Sequence, residues 1–108
     1  MNSNDQTARE KKISCKLTDA EMRKRKATVI ASLKKQVIER KELENGFYYQ
    51  FPGTDRIIDE LAAFIKTERL CCDFFDFDLS VKGDASRALL RITGPQGTKS
   101  FITTELDL

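Results

Sequence analysis

Between Phe75 and Lys82 the chain alternates without a break. Phe75, Phe77, Leu79 and Val81 are apolar, while Asp76, Asp78, Ser80 and Lys82 are polar. A period of two sorts these residues onto opposite sides of a strand, so the segment buries one face and wets the other. A helix would scatter the same residues around its circumference. Residues 82–86 then turn the chain. Ala88, Leu90 and Ile92 form the returning strand, which Gly94-Pro95 closes.

A second alternating stretch lies earlier in the chain, where Phe47, Tyr49 and Phe51 interleave with Tyr48 and Gln50. It follows Glu44-Asn45-Gly46, and Asn-Gly is the strongest short hairpin signal. The preceding residues 37–43 either prolong a helix or form the first strand of that hairpin, and the hairpin is favoured. Pro52-Gly53 ends it.

Helices fill the gaps between the strand pairs. Thr18 and Glu21 make a capping box, with Leu17 and Met22 placed as a hydrophobic staple. Met22, Val29, Ile30, Leu33 and Val37 supply an apolar stripe that carries this helix to about Lys35. Thr54 caps a second helix from roughly Asp55 to Cys71. A short last helix begins near Thr98 and holds Phe101, Ile102 and Leu106. The order is α-β-β-α-β-β-α, an α+β fold with a four-stranded, mainly antiparallel sheet and helices packed on one face. The expected core sets Phe47, Tyr49, Phe51, Phe75, Phe77, Leu79, Leu90 and Ile92 under Ile57, Leu61, Phe64 and Ile65. With 108 residues there is room for one such core. Residues 1–13 read as a disordered tail and 14–108 as a single domain.

Absences narrow the chemistry. The chain has no histidine, which removes the commonest general base and the commonest nitrogen ligand. None of its five glycines fits a phosphate-binding or dinucleotide loop, so no nucleotide cofactor is expected. Residues 1–54 carry a net +5 and residues 55–108 a net −3. The basic run Arg23-Lys24-Arg25-Lys26 points around a helix in all directions, so it reads as a solvated surface and nucleic acid is an unexpected partner. No apolar run reaches the roughly 18–20 residues of a membrane helix. The first residues lack the apolar core of a secretion signal, which places the protein in the cytoplasm.

The second helix carries the unusual residues. With Leu61 at zero and about 100° per residue, Ile57, Ile58, Phe64 and Ile65 fall within about 60° of it. Glu68 lands about 20° from the centre of that stripe, Cys72 about 20° on the other side, and Cys71 near its edge. A carboxylate there is costly to bury without a partner. Either Glu68 reaches solvent or pairs with a lysine or arginine, or it belongs to a polar site with the thiols. In a reducing compartment Cys15, Cys71 and Cys72 stay as thiols, and adjacent cysteines bridge each other only under strain. Three thiolates suit zinc, copper(I) or a heavier thiophilic ion, with Glu68 or water as the fourth tetrahedral ligand. Two other readings stand beside this one. In the first, the chain is a redox protein or sensor using Cys71 or Cys72 with Cys15. In the second, it is a protein-interaction module whose cysteines are purely structural.

Four segments together carry a family likeness: Ser14-Cys15-Lys16-Leu17-Thr18, Phe51-Pro52, the run from Glu68 through Cys71-Cys72 to Leu79, and Ile92-Thr93-Gly94-Pro95. The chain resembles a small bacterial domain family with Cys-x-Leu-Thr and Glu-x-x-Cys-Cys-x-Phe-Phe-x-Phe-x-Leu motifs. Its members are associated with heavy-metal-response regulators. The likeness spans about residues 14–104 and departs at Asp73, where proline or serine is usual. It implies that Cys15, Cys71, Cys72 and Glu68 form one site, and it brings no established activity with it. Residues 1–13 are too few for a DNA-binding head, so a stand-alone buffer, sensor or delivery module is expected.

Overall fold

The computed structural model describes residues 20–108. Helix α1 (Ala20–Gln36) leads into strand β1 (Glu39–Leu43) and strand β2 (Gly46–Pro52). Helix α2 (Asp55–Cys71) follows, then β3 (Asp76–Val81), β4 (Arg87–Thr93) and a last helix α3 (Thr98–Phe101). The last helix continues without interruption into a π-helical turn, Ile102–Leu106. All strand pairings are antiparallel, and the sheet order is β1-β2-β4-β3. The capping residue Thr18 and the tail 1–13 lie outside the described residues.

Local signals explain most boundaries. Thr54 Oγ1 accepts the Ile57 N–H at 3.2 Å and so starts α2. Residues 39–43 form a strand, since β1 pairs through Glu39↔Gln50, Arg40↔Tyr49 and Glu42↔Phe47. Gly46 serves the hairpin through space and not through a left-handed backbone. A Cβ there would sit 1.8 Å from the Ile92 carbonyl oxygen, so only glycine lets β2 approach β4 at that point. The loop from β3 to β4 holds Ala85 at φ 64°, and Asp84 Oδ1 accepts the Ser86 N–H at 3.0 Å.

The register sorts the sheet into rows. Phe47, Ile92 and Phe77 form one row of the covered face, Tyr49, Leu90 and Leu79 the next, and Phe51, Ala88 and Val81 the third. In the inner strands these residues are buried, as are Ile57, Leu61 and Phe64 above them. The Phe64 ring meets Phe77 edge-on at 6.1 Å, which seats α2 on this face. The π-helical turn adds Ile102 and Leu106 to the same core.

The core differs from the sequence expectation at β3. Leu79 is 37% exposed and Val81 43%, and Phe77 is only half-buried. They belong to the covered face by register, but β3 is an edge strand with a neighbouring strand on one side only. Phe75 is buried yet precedes β3, clustering with Phe74 at 4.6 Å and Phe101 at 5.8 Å. Ile65 is partly buried against the core. In α1, Ile30 and Leu33 are buried, while Met22 and Val29 are partly exposed; Val37, just past the end of the helix, is partly exposed too.

Candidate functional site

Helices α1 and α2 run antiparallel, and polar pairs stitch them together. Near one end Ser32 Oγ donates to Glu60 Oε1 at 2.7 Å, and Gln36 Nε2 reaches the same oxygen at 3.3 Å. Toward the other end Lys26 Nζ stands 3.4 Å from Glu68 Oε2. The pairing order (26 with 68, then 32 and 36 with 60) carries the start of α1 toward the end of α2.

Glu68 is 0% exposed, so the wheel placed it correctly on the buried stripe. It does not reach solvent: its partner is Lys26, whose side chain is 13% exposed. The reading of residues 23–26 as a uniformly solvated surface is therefore corrected at Lys26. The signal was present in the spacing. Lys26 stands four residues before Ile30 and seven before Leu33, on the stripe that packs against α2. A lysine there keeps its methylene stem against the neighbouring helix and its ammonium at the rim.

Cys72 caps α2 and is 0% exposed. Its N–H donates to the Glu68 carbonyl at 2.6 Å, and its own carbonyl accepts the Phe75 N–H at 3.3 Å. The chain thus leaves the helix in a tight turn whose far side is pinned by Phe74 and Phe75. Glu68 and Cys72, four residues apart on a helical path, both belong to the buried side of α2. Cys71 is the last residue of α2, and only its backbone is described. Cys15 lies outside the described residues. Of the four residues expected from the sequence, the structure therefore gathers Glu68 and Cys72 at one helix end and adds Lys26.

Chemically, this end of α2 offers a buried soft sulfur, a buried carboxylate and a compensating ammonium that reaches solvent at the rim. Among the described residues no three Cys, Asp, Glu or His side chains come together to hold a metal ion. No helix among them is long and apolar enough to cross a membrane. No protein-family model matches the chain, and comparison with curated proteins and with solved structures finds none similar to it.

Proposed function

We propose that the chain is a small thiol-based binding domain for a soft metal ion such as zinc or copper(I). Cys15, Cys71 and Cys72 supply the sulfurs. Glu68 either completes a tetrahedral set or accepts a hydrogen bond from outside it. The observation that carries this reading is the buried Glu68 carboxylate one turn before the buried Cys72, at the helix end toward which α1 begins. Cys15 stands five positions before Ala20, a length of chain that spans at most about 17 Å. Three thiolates and a carboxylate carry more negative charge than one divalent ion balances, and Lys26 contributes a further positive charge. The reading assumes a reducing compartment such as the cytoplasm.

The redox alternative asks for a thiol that oxidants can reach and that is acidic. Cys72 is fully buried, which closes it to oxidants in solution. One observation favours a second reading, in which the cysteines are structural. Lys26 already gives Glu68 a partner, and Cys72 belongs to the hydrophobic core.

The test is titration of zinc or cadmium into the fully reduced protein, followed by native mass spectrometry and by the ultraviolet band of thiolate–cadmium charge transfer. One tightly bound ion, lost in Cys15→Ser and in Cys72→Ser, is the expected result. A reduced chain that binds no soft metal removes the metal reading and leaves the structural one.

A further inference from the structure

We propose that the outer edge of β3 is a self-association surface, at which two copies pair antiparallel about a two-fold axis through Leu79 and join their sheets. This inference is independent of the metal reading.

The two edges of the sheet are built differently. Edge strand β1 reads Glu39-Arg40-Lys41-Glu42-Leu43, with charge on both faces, a composition that blocks strand addition. Edge strand β3 has no lysine, arginine or proline, and its covered-side residues are Phe77, Leu79 and Val81. Leu79 and Val81 are among the four large apolar side chains exposed in the described residues. The backbone is set for pairing as well. Lys82 N–H donates to the Arg87 carbonyl at 3.0 Å, so Lys82 faces β4. Alternation then turns the amides of Ser80, Asp78 and Asp76 toward β4 and those of Phe77, Leu79 and Val81 outward.

Those outward amides are the ones a second strand would meet, and the side chains choose the partner and the register. Pairing must keep odd residues opposite odd ones, because a one-residue slip exchanges the two faces. Centred on Phe77 or Asp78, two copies of β3 set aspartate beside aspartate. Centred on Leu79, they set Leu79 opposite Leu79 and Phe77 opposite Val81 on the covered side. On the open side Asp78 then faces Ser80, and Asp76 faces Lys82, twice by symmetry. Centred on Ser80, Asp78 would also face Lys82, but Phe77 would lie opposite Gly83; the Leu79 register alone keeps all three apolar residues paired together with two opposite-charge pairs, which makes the edge complementary to itself. A contact of this size is small, so the dimer belongs at the weak end of specific interfaces.

The experiment is sedimentation over a wide concentration range, combined with amide hydrogen exchange at low and high protein concentration. The expected result is a monomer–dimer equilibrium in which Phe77, Leu79 and Val81 amides gain protection with concentration while β1 does not. Lys82→Asp should weaken the dimer about tenfold, because it replaces two attractions by two repulsions. Adding Asp76→Lys to that variant should restore it, since the pair is rebuilt with its signs exchanged. Leu79→Lys should abolish it, and the exposed position of Leu79 lets the monomer stay folded. A monomer at every concentration overturns the proposal, as does a dimer that ignores Leu79→Lys. Failure of the charge exchange to restore pairing overturns the register. Protection at β3 that appears only on adding a foreign strand-forming peptide assigns the edge to a different partner and overturns self-association.

Discussion

Lys26 and Glu68 meet across the α1–α2 interface at 3.4 Å, the carboxylate wholly enclosed and the lysine touching solvent at its rim. The two halves of this pair are not equivalent. A lysine that loses its partner can move its ammonium into water, whereas Glu68 has no short path out. Lys26→Met should therefore destabilise the fold more than Glu68→Gln. About 3 kcal/mol is expected for the first, which takes the Lys26 charge away from a buried carboxylate, and about 1–2 kcal/mol for the second. Denaturant unfolding of both variants at neutral pH checks the order, and equal losses would contradict the geometry.

The same glutamine substitution separates stability from binding. If Glu68 supports a thiol-bound ion, Glu68→Gln lowers zinc or cadmium affinity by about 10- to 100-fold. If Glu68 only pairs with Lys26, affinity is unchanged while the melting temperature falls. Metal titration run beside a thermal melt reads both quantities on one sample.

Tyr49 provides a pH signature. Burial raises its phenol above the ordinary value of 10.0, and nearby Arg40 offsets this only in part. The folded state holds the proton more tightly than the unfolded chain. The associated stability is thus intact below pH 10 and is lost as pH rises through the folded-state value. The wild type should lose melting temperature above about pH 10 more steeply than Tyr49→Phe. At neutral pH the phenylalanine variant should match the wild type or gain up to about 1 kcal/mol, because the buried hydroxyl makes no hydrogen bond among the described residues.

Gly46 tests the hairpin. Gly46→Ala drives a methyl group into the Ile92 carbonyl, and rigid backbone surrounds that contact. The change should cost at least about 3 kcal/mol, a loss confined to substitutions with a specific steric cause. Thermal denaturation measures it, and Gly83→Ala, which meets nothing within 4 Å, is the control.

Much of this architecture was legible without coordinates, for a physical reason. The alternation at 47–51 and 75–82, the Thr54 cap and the stripe on α2 are local patterns. Each depends on residues within one or two turns of one another, and the strands and helices followed them closely. Glu68 could be assigned to the buried stripe by its angle alone. Its partner was only half legible: the spacing puts Lys26 on the buried stripe of α1, but which residue of α2 it meets depends on how two helices distant in sequence pack together.

What the amino-acid order determined by itself is therefore the identity and succession of the elements, and which face of each is apolar. The tertiary structure decided how much of each face is covered. Leu79 and Val81 obey the same alternation as Phe47 and Tyr49, yet they stay partly in water because the sheet order places β3 outermost. Gly46 signalled a turn, but the need for glycine arises from the neighbouring strand. Burial and ion pairing depend on elements distant in the chain, whereas periodicity and capping act between near neighbours, and a sequence displays only the second kind directly.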